Sequence, residues 1–273
     1  SSGKGKCACA DGYGCDMKYQ GTGNDFVLID NRDKQFPIDN YAAVAQICHR
    51  NFGIGADGFI LIESDDSSDF YMRYFNADGH EGSLCGNGSR CAIHFAKSLG
   101  LTSDKVVFRT SDGLHKANFI ADQVALELHS VSQWEKREDA IFIDTGSPHH
   151  VIFVSDVDDV DVAIKGAEIA HGAPYLSDGT NVNFVQQIDA NTLYVRTFER
   201  GVEAETLSCG TGVTAAALAA HINGLTTAHT IEIKTRGGDL NVSFSSTKNG
   251  YEAVVLQGPA TPVFTGNWEL NQS

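Results

Sequence analysis

The feature that most constrains this chain is a pattern it states twice. Cys85-Gly-Asn-Gly-Ser-Arg-Cys-Ala-Ile-His-Phe-Ala recurs as Cys209-Gly-Thr-Gly-Val-Thr-Ala-Ala-Ala-Leu-Ala-Ala. Each copy opens with a cysteine, passes through Gly-x-Gly and runs into an Ala-rich helical segment that stops at a glycine followed by Leu-Thr. The correspondence extends well beyond this stretch. Thr145-Gly146 follows Thr22-Gly23 by 123 positions, Tyr194-Val-Arg-Thr-Phe198 follows Tyr71-Met-Arg-Tyr-Phe75 by 123, Cys209 follows Cys85 by 124, and Ile231 to Thr235 follows Val106 to Thr110 by 125. Matches in that order, drifting by single-residue insertions, mark an internal duplication and hence two domains.

The 273 residues suffice for two moderate cores. The first repeat is expected over 17–131 and the second over 132–258, with a linker where polarity rises at 131–139. The tail 259–273 has no counterpart in either repeat and is expected to join the first domain. Residues 1–16 hold three of the seven cysteines but few large apolar side chains; they read as a leader or an appended extension before Met17. A net charge of −15 leaves no basic stripe for nucleic acid or an anionic membrane, and no run of about 18 apolar residues spans a bilayer. A small-molecule substrate is the remaining expectation. Cys48, Cys85, Cys91 and Cys209 are sparse and far apart, which fits free thiols in a reducing cytoplasm.

Strands are expected at 26–29, 59–62, 71–75, 106–110, 115–120 and 123–129, and a helix over 40–50. The helix after Cys85 should run from Gly86 to Leu99 and end on Gly100. Its apolar stripe is Cys91, Ala92, Phe95, Ala96 and Leu99, with Arg90, His94 and Lys97 off it. Residues 65–69 read as a solvated acidic turn. Cys91 has lost its counterpart, Ala215, and with Cys48 is assigned to core packing.

Symmetry carries the chemistry. A duplicated domain pair packed about a pseudo-twofold axis would bring Cys85 and Cys209 to opposite sides of one shared cleft. Each begins a helix, where free amides and the positive dipole end favour a thiolate. The adjoining glycines admit a ligand carboxylate to those amides. An α-carbon between the two sulfurs would lose its proton to one and regain one from the other, with inversion. A single Cys-Gly-x-Gly start is more readily read as a tight packing turn; its retention in two diverged copies favours the catalytic reading. A Cys209–His149 hydrolase has no use for a second thiol, and zinc has no C-x-x-C pair in the globular part.

The motifs Gly21-Thr-Gly-Asn-Asp-Phe26, Phe75-Asn-Ala-Asp-Gly79, Leu84-Cys-Gly-Asn-Gly88, Arg90-Cys91, Gly146-Ser-Pro-His149, Asn181-Val-Asn-Phe184, Phe198-Glu-Arg-Gly201 and Glu205-Thr-Leu-Ser-Cys-Gly-Thr-Gly212 resemble those of the diaminopimelate epimerases from Met17 onward. The resemblance implies an α/β (α+β) fold of two pseudo-symmetric domains, each with mixed strands around a central helix, and an active site between them. It implies a cofactor-independent, metal-free interconversion of LL- and meso-diaminopimelate, in lysine and peptidoglycan precursor synthesis, by a cytoplasmic homodimer. Cys85 and Cys209 would be the catalytic acid and base, tuned by His149 and Glu199. Gly86, Asn87, Gly210 and Thr211 would hold the reacting carboxylate, and Asn24, Asn76, Ser147, Asn181, Glu199 and Arg200 would line the pocket. Three departures stand out: Ser147 where the family often has asparagine, Gly58 where it often has glutamine, and a 202–205 loop one residue longer. The rival readings are a proline racemase-like enzyme, a phenazine-pathway isomerase, a redox protein using Cys85 and Cys209, and a noncatalytic amino-acid binding protein.

Overall fold

A computed structural model describes residues 16–82 and 85–268. Cys7, Cys9 and Cys15 lie outside the described residues, as does the expected leader apart from Asp16. Two compact units emerge, one of residues up to 118 together with those from 260 onward, the other Phe119–Pro259.

The first unit begins with β1 (Asp16–Gly21) and β2 (Asn24–Asp30), an antiparallel pair turning through Thr22-Gly23. Helix α1 (Tyr41–Cys48) is capped by the Asn40 side chain, which accepts from the Ala43 amide at 3.1 Å. Strand β3 (Gly58–Glu63) is buried at every position because it lies inside the sheet, parallel to β2 and antiparallel to β4 (Phe70–Asn76). Helix α2 (Gly86–Ser98) crosses from β4 to its parallel neighbour β5 (Lys105–Thr110), and β6 (Gly113–Ile120) returns antiparallel.

Helix α2 lies against β1, β2, β3 and β4. Its expected stripe is buried at Cys91, Ala92, Phe95 and Ala96. Arg90, expected off that stripe, is instead 0% exposed and among the largest fully buried side chains of the protein. The sheet wraps far enough around α2 to enclose it, so helical periodicity understated the buried arc. The turn at 65–69 is on the surface, where the Ser67 and Ser68 hydroxyls donate to Asp65.

The second unit carries β7 (Gln123–Glu127), β8 (Trp134–Lys136), β9 (Ala140–Asp144) and β10 (Pro148–Phe153). Helix α3 (Val162–His171) leads to β11 (Asn181–Gln187), parallel to β10, and then to antiparallel β12 (Thr192–Glu199). The polar stretch expected as a linker is tied down here: β8 pairs with β9, and Val131 forms an antiparallel bridge with Tyr251.

After the small strand β13 (Ala204–Thr206), helix α4 (Gly210–Ile222) crosses to β14 (Thr230–Thr235), which is parallel to β12. The unit closes with β15 (Gly238–Thr247) and β16 (Gly250–Gly258), the latter antiparallel to β7. The last strand, β17 (Thr261–Gly266), pairs antiparallel with β1 and so belongs to the first unit.

The succession β2 to β6 and the succession from β10 to β15 therefore repeat the same parallel and antiparallel order, with a helix in the same place. The helix ends repeat too. Leu101 donates to Ala96 and Gly100 to Lys97, and Leu225 donates to Ala220 and Gly224 to His221, all at 3.0 Å. Gly100 and Gly224 hold φ of +75° and +69°, the left-handed geometry that closes a Schellman motif.

Val213 through Ala220 of α4 includes no exposed side chain, which is why its sequence is apolar on nearly every face; the Thr214 hydroxyl donates to the Gly210 carbonyl at 2.9 Å. Helix α3 approaches β12 so closely that a methyl group added at Gly166 would lie 2.3 Å from Phe198 Cβ. Gly166→Ala should lower stability by about 1–3 kcal/mol through overpacking. A urea midpoint equal to that of the unaltered protein would contradict so close an approach.

Candidate active site

Both repeated cysteines are helix N-caps in extended conformation, Cys85 at φ −106° and ψ 118°, Cys209 at φ −128° and ψ 115°. The helices that follow are each 13 residues long and begin at Gly86 and Gly210. At Cys85 the sulfur accepts from the Gly88 amide at 3.5 Å. At Cys209 it lies 3.5 Å from Thr211 Oγ1. All four described cysteines are free thiols. Cys48 and Cys91 are different in kind, because burial pushes both thiols up to about 12, which suits the packing role expected of them.

In the first unit the structure brings Asn24, Asn87 and Cys85 together. Asn24 Oδ1 accepts from Cys85 Sγ at 3.7 Å and from Asn87 Nδ2 at 3.4 Å, while Asn24 Nδ2 donates to Asp57 Oδ2 at 2.6 Å. The carboxylate of Asp57 thereby fixes which way the Asn24 amide points. Asp57 is itself held by Arg50 at 2.8 Å. Arg50 and Lys18 also grip Asp25; burial alone would raise that carboxyl, but their hydrogen bonds and charges hold it down to about 2. Asn87 is 3% exposed and accepts at Oδ1 from Arg90 at 3.0 Å.

The second unit builds its half differently. The turn before β10 is pinned to the start of α4 by the Thr145 hydroxyl, which donates to the Thr211 carbonyl at 2.8 Å. His149, wholly buried on β10, has Nε2 2.9 Å from Thr211 Oγ1 and Nδ1 2.9 Å from Asn183 Nδ2. Burial first, and the charge of Arg200 second, push its imidazole down to about 3. His149 is therefore neutral across the physiological range. Asn181 donates to the Pro148 carbonyl at 2.9 Å and accepts from the Arg200 amide at 2.9 Å, so its carboxamide clamps the turn that carries Glu199 and Arg200.

Arg200 is exposed and donates to the Asp178 carbonyl at 3.0 Å. Glu199 ends β12 opposite Ala204. Ser147 is half-buried and closes the turn through its carbonyl, which accepts from the Thr145 amide at 3.2 Å. Asn76 is exposed at the end of β4.

Two sequence departures acquire physical reasons. Any side chain at Gly58 would meet the Tyr74 ring, whose Cε2 lies 2.6 Å from the position of an added Cβ. The longer loop before Cys209 forms β13, whose Glu205 binds Arg196 at 2.7 Å and Arg236 at 3.0 Å. Asp57, Asn183 and Thr197 were not singled out by the sequence, since their importance lies in which neighbour they orient. Among the described residues no group of three or more His, Cys, Asp or Glu side chains is placed to hold a metal ion. None of the described helices is long and apolar enough to cross a membrane.

This duplicated α/β fold defines a class that the chain shares with proteins of other solved structures. The chain is similar in fold to a phenazine biosynthesis protein of the PhzF family from Bacillus anthracis (TM-score 0.76, 13% identity, covering 94% of this chain and 99% of that one). It is also similar to a probable proline racemase from Agrobacterium radiobacter (TM-score 0.64, 12% identity, covering 94% and 93%). Sequence narrows the class. The family model for diaminopimelate epimerase matches residues 17–131 and 141–263. The diaminopimelate epimerase of Flavobacterium psychrophilum is 46% identical over 90% of this chain and 97% of its own length, and that of Aquifex aeolicus 40% identical over 91% and 95%. The chain belongs to the diaminopimelate epimerase family and is an isomerase.

The buried His149 has a measurable consequence. Its ordinary value of 6.5 in the unfolded chain falls to about 3 on folding. Above 6.5 neither state binds the proton; as pH falls below 6.5 the unfolded state gains one that the folded state refuses, so stability is lost until about 3. His149→Gln should remove about one proton from the pH dependence of urea unfolding in that window. Equal slopes for the variant and the unaltered protein would show that His149 titrates normally.

Proposed function

We propose that the protein interconverts LL- and meso-diaminopimelate by two-base proton transfer at the α-carbon, with Cys85 and Cys209 as the bases and no pyridoxal cofactor or metal. The observation that carries this reading is the pair of cysteines capping equivalent helices in the two copies. Its support is the family membership together with the neutral histidine and oriented amides beside those caps.

In this reading one thiolate removes the α-proton as the other thiol delivers its own to the opposite face. The bond to the departing hydrogen breaks as the bond to the arriving one forms, and the two sulfurs exchange protonation states. The substrate carboxylate is held by the first-turn amides at Gly86-Asn87 and Gly210-Thr211, where helix dipoles stabilise the charge that builds on it. Arg200 takes the distal carboxylate, for which a planar guanidinium is suited. Glu199 meets an ammonium group, and Asn24, Asn76, Ser147 and Asn181 fix the stereocentre that does not react. His149, neutral, tunes the reacting centre without competing for its proton. The same reading assigns the protein to lysine and peptidoglycan precursor synthesis, as a cytoplasmic homodimer.

Proton NMR of LL-diaminopimelate in D₂O with the reduced protein should show the α-proton signal vanish as the meso isomer appears. Cys85→Ala or Cys209→Ala should lower turnover on the order of 10²–10⁴-fold or more. Full turnover in either variant would sink the two-base mechanism. Exchange of proline but not diaminopimelate would move the substrate to the racemases, and no exchange of any amino acid would favour the redox reading.

A further inference from the structure

The duplication supplies an internal control for what a buried position needs. The strand registers make His149, Asn183 and Thr197 the counterparts of Phe26, Ile60 and Tyr74: Phe26 stands opposite Gly58 as His149 does opposite Asn181, and Ile60 opposite Tyr74 as Asn183 does opposite Thr197. In the first unit these positions pack through hydrocarbon. The Phe26 and Tyr74 rings meet edge to face at 6.3 Å, and Ile60 Cδ1 and Phe26 Cε1 lie 3.3 and 3.4 Å from where a Cβ would stand at Gly88. In the second unit the same positions carry a polar chain. Thr197 Oγ1 donates to Asn183 Oδ1 at 2.9 Å, and Asn183 Nδ2 reaches His149 Nδ1 at 2.9 Å. His149 Nε2 reaches Thr211 Oγ1 at 2.9 Å, and Thr211 Oγ1 lies 3.5 Å from Cys209 Sγ. The central members are closed off from solvent: His149 and Asn183 are 0% exposed and Thr197 is 3% exposed.

Packing does not call for this chain, since the first unit fills the His149 and Asn183 positions with Phe26 and Ile60, and polar groups buried there must all be satisfied. Its direction follows from the orientation of the Asn183 amide. With Oδ1 toward Thr197, whose hydroxyl donates to it, Nδ2 faces the imidazole. A neutral imidazole receiving a hydrogen bond at Nδ1 carries its own proton on Nε2. That proton is donated to Thr211 Oγ1, which leaves the hydroxyl hydrogen available to Cys209 Sγ, 3.5 Å away, where a thiolate can only accept.

We infer that Asn183 is a positioning residue for the second thiol: by fixing the Nε2–H tautomer of His149 it commits the Thr211 hydroxyl to donate to Cys209 Sγ. The Cys209 thiolate therefore receives a directed side-chain donor through a relay whose buried members, His149 and Asn183, are replaced in the first unit by Phe26 and Ile60. No proton moves along the chain; its work is orientation. The inference concerns the site assigned above, and its consequence for turnover rests on that reading, while the relay itself is open to measurement without substrate.

Two measurements test it. In the unaltered protein, ¹⁵N NMR of the histidines should show His149 neutral at neutral pH, with a protonated Nε2 and an unprotonated, hydrogen-bonded Nδ1; a proton on Nδ1, or an imidazolium, overturns the inference. Next, the pH dependence of Cys209 carbamidomethylation is followed by peptide mass spectrometry, which separates this cysteine from the others. Thr211→Val should move the midpoint upward by roughly half to one pH unit, the size expected for loss of one hydrogen bond to a charged group. Asn183→Leu, similar in volume but without the donor, should move it in the same direction and should add nothing in the Thr211→Val background. An unmoved midpoint in Asn183→Leu, or an equal shift with and without Thr211, overturns the relay. Should Asn183→Leu fail to fold, the tautomer and the Thr211→Val midpoint decide the matter. A shifted midpoint in a protein that epimerises nothing would leave the relay standing and remove the proposed function; epimerisation with an unmoved midpoint would do the reverse.

Discussion

The structure depends on the unsatisfied first turn of a buried helix. A helix enclosed by a sheet must present its amide end somewhere polar, because four backbone N–H groups there have no partner within the helix. In α4 every side chain from Val213 to Ala220 is buried, so the polarity of the whole helix is concentrated at its ends. The carboxyl end is closed by the Schellman turn at Gly224. The amide end is left to Cys209, Gly210 and Thr211. The same division holds for α2, where Gly100 closes one end and Cys85 caps the other. A thiol in that place is offered an electropositive terminus, and glycine in the first turn leaves that terminus approachable.

That logic explains what the sequence makes legible. The duplication, the two helices and their glycine stops depend on local chemistry and on periodicity, both of which are written in consecutive residues. The cysteine caps follow from the same local grammar. Cys48 and Cys91 were separable from Cys85 and Cys209 because a helix interior and a helix start are different places in a pattern. Arg90 was misjudged because periodicity gives the direction of a side chain but not how far a sheet curls around the helix. The polar run at 131–139 reads as a linker, yet a short strand and a bridge to Tyr251 can be built from polar residues when the backbone alone makes the pairing.

The orienting residues were illegible for a different reason. Asp57 matters because it turns the Asn24 amide, and Asn183 because it turns His149. Neither effect resides in the residue itself; each needs two other strands in register. The motif Asn181-Val-Asn-Phe184 was visible, but nothing in it distinguishes an asparagine that clamps a turn from one that orients an imidazole. The strand period does so after the fact: Asn181 and Asn183 share a face of β11 and sit two residues apart, so both reach toward β10, one at its start and one behind its histidine.

Duplication thus produced two caps of the same backbone geometry with different chemical surroundings. Beside Cys85 stand amides: Asn24, oriented by a carboxylate and bonded in turn by Asn87, and the Gly88 backbone. Beside Cys209 stands a hydroxyl at the end of a buried chain. In the proposed reaction two groups exchange roles at one stereocentre, and the common helix start would provide them. That reaction does not need those groups to be equal, because the two isomers of the substrate are not mirror images once the second stereocentre is counted. Unequal surroundings on equivalent scaffolds are what such a substrate permits, and divergence between the copies at Phe26 and His149, or Ile60 and Asn183, is the form that inequality takes in this chain.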